Sequence, residues 1–361
     1  MKIRLMTFHT PKNYGAVLQA YSLMSYLSRN GDDVKVIDYN TPALRAKYPI
    51  IPKGRGFKHL AYNLIMLPTY GRKRKKYQKF DAFVQHNFRL TERYESLAGL
   101  TSAPPEADAV ITGSDQVFNP SRIAEERKAF YLDFVPEGVR RISYAASFGM
   151  SAVPEDRREE IAAYLQKFDA ISVRESTGIG IVRALSGKTA VEVLDPVFLN
   201  DKSFWRGVEK PYRKDFGRYL FYYRLMGAAG SDDIARKIAA EKKLKLVVMT
   251  DGLMRWKADR VLRDVGPEEF LYLTDHADFV VTDSFHGVAF SLLFEKQFAF
   301  SDGNPATRER GVNLLRAAGH EHAATGAGEG QAPQLDYTGI HERLAGAENA
   351  SRAFLTEALR G

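Results

Sequence analysis

One histidine in this chain stands where proton transfer near neutral pH would be well supported. His286 lies in the run Val281 to Ala289, VTDSFHGVA. The apolar stretch Ala277 to Val281 before it reads as a short buried strand, and Phe290 to Phe294 after it as the continuation of an amphipathic helix. A strand that turns directly into a helix brings side chains and backbone N–H groups to one spot, and the helix dipole favours negative charge there. Gly287 permits close approach of a ligand or of backbone. A histidine at a helix start also serves as a cap or a packing residue, so support has to come from other segments.

Polar clusters follow other apolar runs. His9-Thr10-Pro11-Lys12-Asn13-Tyr14-Gly15 comes after the first, and Thr112-Gly113-Ser114-Asp115-Gln116, with Asn119 behind, comes after Ile111. Ser147-Phe148-Gly149 follows Ala146, and Arg174-Glu175-Ser176 follows Val173. Arg224 ends a later run, and Ser301, Asp302, Arg308 and Arg310 follow Phe300. Asp115 and His286 are the acid–base candidates. Arg174, Arg224, Arg308 and Arg310 offer forked donors for phosphate or carboxylate, or else form ion pairs at the surface. No Walker A loop, no dinucleotide glycine fingerprint after a strand and no HExxH is present. Gly178-Ile179-Gly180 falls in a helical pattern. His320-Glu321-His322 lacks a carboxylate at a useful spacing, so no metal is expected.

The elements that would position these residues alternate. Strands are expected at Lys2–Phe8, Val34–Tyr39, Ala109–Thr112, Arg141–Ala146, Ala170–Val173 and Val191–Leu194, with a helix at Ala16–Ser28. Trp205 to Phe216 reads as polar and irregular. A second unit follows: strands Tyr219–Tyr223, Lys245–Thr250, Asp278–Thr282 and Gln297–Phe300, and helices Asp232–Glu241, Pro267–Leu273 and Phe285–Phe294. This is an α/β pattern of parallel sheets covered by helices. The expected division is a first Rossmann-like domain over 1–200 with a basic helical insertion near 57–90, a second over 201–335, and a C-terminal helix over 336–361. His320 to Pro333, rich in Ala and Gly, reads as a mobile loop. Two such domains would face a cleft lined by strand ends.

Composition agrees with a globular protein: 361 residues, 45% hydrophobic and 27% charged. The chain has no cysteine, which excludes disulfides and thiolate metal sites. The N-terminal apolar run is too short for a signal peptide, and no window reaches a membrane span, so a soluble cytoplasmic protein is expected. The net charge of +8 suits an anionic ligand or surface. No nucleic-acid motif accompanies it. Arg72-Lys73-Arg74-Lys75-Lys76 with Lys79, next to the apolar segment His59 to Leu67, reads either as a solvated helix face beside a packed one or as a peripheral contact with the inner face of an anionic membrane.

Taken together, Asn13 to Tyr21 (NYGAVLQAY), Gly113 to Asn119 (GSDQVFN), Ile142 to Gly149 (ISYAASFG), Ser172 to Glu175, Leu194-Asp195-Pro196 and Thr282 to Gly287 (TDSFHG) resemble the polysaccharide pyruvyl transferase family. The resemblance runs to at least Leu315. It implies a GT-B-like fold and transfer of pyruvate from phosphoenolpyruvate to two hydroxyls of a sugar, giving a cyclic ketal and free phosphate. No cofactor is implied; phosphoenolpyruvate is the donor substrate. The acceptor would be a saccharide of a surface polysaccharide, free or lipid-linked. His286 matches the family's HG histidine, the acid or base. Arg174 matches an anion-binding arginine, and Arg310 is a weaker match near the cleft. Asn13, Tyr14, Gly15, Gln19, Gly113, Ser114, Gln116, Asn119, Ser147, Ser284 and Gly287 are the further expected substrate-binding positions, with Arg224 and Arg308. Ser284 stands where many relatives carry Arg, and Phe118 where Trp is frequent. A GT-B glycosyltransferase using a nucleotide sugar, with Glu268 or Glu269 at a ribose, is the alternative. A non-catalytic carbohydrate-binding relative is the third reading, and the intact His286 speaks against it.

Overall fold

The structure is a computed structural model. It describes residues 1–51, 54, 56–121, 127–227, 230–301, 305–321 and 334–360, without the side chains of 58, 59, 127 and 305–308. The chain forms two compact units. The first comprises Met1–Arg45, His86–Asn200 and Glu342–Gly361, and the second Ala46–Gln85 and Asp201–His341. This differs from a division into contiguous segments. Residues 46–85 cluster with the second unit, and the C-terminal helix, Tyr337–Arg360, begins in the second unit and ends in the first.

The first unit is built on seven parallel strands: β1 (Lys2–Met6), β2 (Asp33–Tyr39), β3 (Leu90–Tyr94), β4 (Ala109–Gly113), β5 (Arg140–Ala146), β6 (Ala170–Val173) and β7 (Val191–Glu192), in the order β3-β2-β1-β4-β5-β6-β7. The second has five: β8 (Tyr219–Tyr223), β9 (Lys245–Met249), β10 (Arg260–Leu262), β11 (Phe279–Thr282) and β12 (Phe298–Phe300), in the order β10-β9-β8-β11-β12, again parallel. Central strands such as β4 and β8 are buried at every position, because helices cover both faces of a parallel sheet. The strand order reverses between β1 and β4 in one sheet and between β8 and β11 in the other. Crevices at such switch points, beyond the carboxyl ends of the strands, are where open α/β sheets bind ligands.

Register aligns those ends. Met6 sits beside Thr112, Gly113 beside Tyr144 and Ala146 beside Val173. Thr282 sits beside both Tyr223 and Phe300. The α/β class, the parallel sheets and the C-terminal helix all match expectation. The strands β3 and β10 did not announce themselves in the sequence. Both are edge strands with exposed positions, so neither needs an apolar run. Residues 202–208 are also more ordered than expected. They form a helix capped by Asp201, and Trp205 is fully buried there, edge-on to Phe290 with ring centroids 5.0 Å apart.

The expected insertion is a single long helix, Phe57–Asn87, with Pro68 inside it. Its basic run does not form one solvated face. Lys76 is buried against Asp251 at 2.8 Å, Lys79 meets Glu269 at 2.6 Å and the Lys73 ammonium donates to the Pro49 carbonyl at 2.9 Å. Arg72, Arg74 and Lys75 are exposed. Among the described residues no helix is long and apolar enough to cross a membrane. The expected loop over 320–333 lies, beyond Glu321, outside the described residues.

Trp205→Ala should lower stability by about 3–5 kcal/mol, the range for truncating a buried large aromatic. Urea unfolding followed by circular dichroism should show a lower midpoint at unchanged cooperativity.

Candidate active site

In the second unit the chain leaves β11 at Asp283 and Ser284 and enters the helix Phe285–Leu293 at once. The turn is held from three sides. The Thr282 hydroxyl donates to the Tyr223 carbonyl (3.2 Å) and accepts the Ser284 N–H (3.1 Å). The Asp283 carboxylate, fully buried, accepts three successive backbone N–H groups, of Leu225 (2.6 Å), Met226 (2.9 Å) and Gly227 (2.7 Å). It therefore fastens the loop after β8 to the end of β11, across the switch point. A Cβ on Gly287 would stand 2.1 Å from the Thr282 hydroxyl oxygen. Gly287 is thus needed for the helix to close on its own strand, and the space is filled by Thr282 and not by a ligand. His286 sits in the first helical turn, 7% exposed, with its ring edge-on to Phe285. The positive end of the helix dipole lies beside it.

Arg224 is at the same switch point but is engaged within the unit. Its guanidinium binds both oxygens of Asp232, at 2.8 and 3.2 Å. Asp232 also accepts from the Trp256 indole N–H (2.8 Å) and the Tyr222 hydroxyl (2.9 Å). Burial pushes the Asp232 carboxyl upward, but the bonds from Arg224, Trp256 and Tyr222 prevail and hold it below the ordinary range. Arg224 therefore orders the loop after β8. Arg310 is half-buried on the helix Pro305–Ala317, and the Arg308 side chain lies outside the described residues.

In the first unit one buried network joins the expected positions. Arg174, its side chain 2% exposed, donates to Asp195 at 2.8 Å and to the Ser114 hydroxyl at 3.5 Å. It lies 3.9 Å from both Asp115 and Glu175. Burial acts to lower the Arg174 pKa, but Asp195, Asp115 and Glu175 outweigh it and hold it above the ordinary value. Ser114 donates to Asp195 (3.0 Å), and its N–H reaches the Gln19 side-chain carbonyl (3.0 Å). The Gln19 amide in turn donates to Thr7 and to the Ala16 carbonyl. Glu175 accepts from the Ser147 hydroxyl at 2.7 Å and from the N–H groups of Phe148 and Gly149. Gln19, Ser114, Ser147 and Arg174 were expected to meet substrate; all four are enclosed and bonded to protein. A Cβ on Gly113, whose φ is +149°, would fall 1.9 Å from the Tyr144 carbonyl oxygen, so backbone and not ligand demands that glycine. Asn13 caps the helix Tyr14–Arg29 by accepting the Ala16 N–H, and Tyr14 and Gly15 are buried in its first turn.

Asp115 differs from its neighbours. Its φ is +64°, rare outside glycine, and its side chain keeps 24% exposure. Its carbonyl accepts the N–H groups of Val117 and Ser147, so the strained residue is held by bonds to two elements. Gln116 and Asn119 bond to each other beside it (3.1 Å). Both glutamates proposed for a ribose carry ion pairs within the second unit. Glu269 takes Lys79 and the Gly266 N–H, and Glu268 takes Lys210.

Sequence reading gave no role to the carboxylates that hold these groups: Asp195, Asp232 and Asp283. It also passed over Asp38, which accepts from Arg93 (2.9 Å) and lies 3.2 Å from Nε2 of the buried His9. Only the partners of each acid reveal its task. Among the described residues one group has metal-ligand proximity, Glu209, Asp275 and His276, with donor atoms within 4.8 Å of one another. Arg206 already bonds both Asp275 oxygens (2.6 and 3.1 Å), and the group lies before β11, away from its His286 end.

A family model described as polysaccharide pyruvyl transferase matches residues 13–303, and the chain belongs to that family. No curated protein sequence gives a significant match. Similar solved structures include UDP-GlcNAc 2-epimerase from Neisseria meningitidis bound to UDP-GlcNAc, at 12% identity and TM-score 0.48 over all of both chains. A putative UDP-N-acetylglucosamine 2-epimerase from Listeria monocytogenes gives 11% identity and TM-score 0.49, covering 99% of this chain and 91% of its own. The lipopolysaccharide ADP-heptose heptosyltransferase II of E. coli gives 12% and 0.34, covering 98% and 100%.

Two outcomes follow from the network and from Asp232. Asp195→Ala leaves Arg174 buried with its nearest counter-charge removed, and should cost about 3–5 kcal/mol in urea unfolding. The Asp232 carboxyl titrates lower in the folded chain than its ordinary value of 3.8, so its stabilisation is complete above that pH and is lost as pH falls through the folded value. Urea midpoints measured from pH 5 down to pH 2 should therefore fall less steeply for Asp232→Asn than for the unmodified chain.

Proposed function

We propose that this member of the polysaccharide pyruvyl transferase family moves pyruvate from phosphoenolpyruvate to two hydroxyls of one saccharide, with His286 carrying the proton. The observation that carries the reading is the position of His286. It sits in the first turn of a helix that starts directly from a strand, at a switch point, in a turn made rigid by Thr282, Asp283 and Gly287.

The chemistry requires such a group. One sugar hydroxyl adds to C2 of the enol while a proton reaches C3, turning the methylene into a methyl group. A second hydroxyl then displaces phosphate from C2, and its proton leaves with the phosphate. The product is a cyclic ketal and inorganic phosphate. Positive charge develops at C2 in both steps, so a proton carrier fixed beside the donor would act where the barrier lies. The donor is anionic at phosphate and carboxylate. The helix dipole at His286 suits one of these groups. Arg310 and Arg308, on the helix after β12, are the arginines proposed for direct contact with the donor. Asp115, strained and partly exposed, is proposed as the acid–base group of the first unit. The acceptor is proposed to be a sugar of a surface polysaccharide or of its lipid-linked precursor.

Phosphate release from phosphoenolpyruvate, measured with a panel of saccharide acceptors and mass spectrometry of the products, tests this reading. The expected product is heavier by one pyruvyl ketal. His286→Ala should lower turnover by about 10²–10⁴-fold, the span typical of a lost general acid or base, with an unchanged circular dichroism spectrum. Turnover undiminished in that variant removes His286 from the mechanism. Binding of a nucleotide sugar by calorimetry, with none of phosphoenolpyruvate, replaces the reading with glycosyl transfer.

A further inference from the structure

The outward face of the helix Phe57–Asn87 changes character along its length. In its first part Phe57, Leu60, Leu64, Ile65 and Leu67 are 58–85% exposed, five large apolar side chains within eleven residues. In its second part Arg72, Arg74 and Lys75 point to solvent. The helical period places Phe57, Leu60, Leu64 and Leu67 on the same stripe as Arg74 and Lys75. The opposite stripe, with Met66, Tyr70, Lys76 and Phe80, is buried, and the Lys76–Asp251 and Lys79–Glu269 pairs hold it to the second unit. The helix is therefore anchored along one side and leaves an apolar-then-basic side facing out.

Charge selects what would cover that side. Residues 41–80 contain eleven Lys and Arg and no Asp or Glu, so this one stretch carries more positive charge than the whole chain's net +8. A second copy of the chain would bring the same positive stretch and be repelled. An anionic interface with an apolar interior meets both halves at once. We propose that the outward face of this helix docks the protein on an anionic phospholipid bilayer. Phe57, Leu60, Leu64, Ile65 and Leu67 enter the boundary between headgroups and acyl chains, and Arg72, Arg74 and Lys75 lie against the lipid phosphates. The inference goes beyond the reaction proposed above and does not depend on its donor. It bears on the acceptor, since a saccharide carried on a membrane lipid would be found at the same surface.

Co-sedimentation of the full-length protein with vesicles tests it without any turnover. Binding is expected to vesicles of phosphatidylglycerol and phosphatidylcholine mixed, well above binding to phosphatidylcholine alone, and to weaken with salt. Leu64→Glu with Ile65→Glu should lower the partition coefficient about tenfold or more, with an unchanged melting curve because both side chains are exposed. Arg72→Gln, Arg74→Gln and Lys75→Gln together should remove the preference for the anionic lipid. Absence of binding to the mixed vesicles overturns the proposal, as does equal binding by the Leu64/Ile65 variant. So does a dimer, seen by light scattering, that this variant converts to a monomer, because a second copy would then own the face.

Discussion

A guanidinium sealed inside the first unit governs how that unit is built. Arg174 is removed from water, and its contacts with Asp195, Asp115, Glu175 and Ser114 offset the loss of hydration. Such a charge tolerates little displacement of its partners. Asp195 must lie at 2.8 Å, Ser114 must bridge to Asp195, and Gln19 must hold the Ser114 backbone. Arg174 and Ser114 directly follow β6 and β4, Asp195 lies just beyond β7, and Gln19 is in the helix after β1, so one buried charge forces several strand exits into alignment. The parallel register delivers that alignment, and Gly113 is the price in sequence freedom, since any side chain there would strike the Tyr144 carbonyl.

The second unit meets the same requirement with a carboxylate in place of a guanidinium. Asp283 is fully buried, and three consecutive backbone N–H groups balance it. Hydrogen bonds from backbone to an ionised acceptor are among the stronger ones available, and here they tie the loop after β8 to the turn that bears His286. Arg224 and Asp232 order the near side of that loop. Both switch points are thus stiff before any ligand arrives. Stiffness matters for chemistry, because a proton carrier misplaced by an ångström loses much of its effect.

How much could be read in advance depended on where a segment lies in its sheet. Interior strands such as Tyr219–Tyr223 and Ala170–Val173 are largely apolar because both faces are covered, and their limits were legible to the residue. Leu90–Tyr94 and Arg260–Leu262 went unread, since an edge strand keeps backbone pairing while its side chains stay exposed. The basic helix gave a mixed signal for a related reason. Lys73 and Lys76 look like their neighbours Arg72 and Lys75 in sequence, and only the helical phase turns two inward and two outward.

By itself the sequence determined the α/β class, the two parallel sheets, the strand exits that carry polar groups and the turn that bears His286, because apolar periodicity and strand-to-helix punctuation are local properties. It also carried the family, through motifs set in order along the chain. Tertiary structure alone decided which polar residues are engaged. Arg174 and Arg224 have the type of anion ligands, yet Asp195, 21 residues on, and Asp232, eight residues on, take their charge. Gly113 and Gly287 suggest room for a ligand, yet Tyr144 and Thr282 fill the space. Partnership of this kind depends on which strand lies beside which. For Arg174 with Asp195 and Gly113 with Tyr144 that is set by long-range packing, and even where the partner is close in sequence, as for Arg224 with Asp232, only the fold turns the two side chains together.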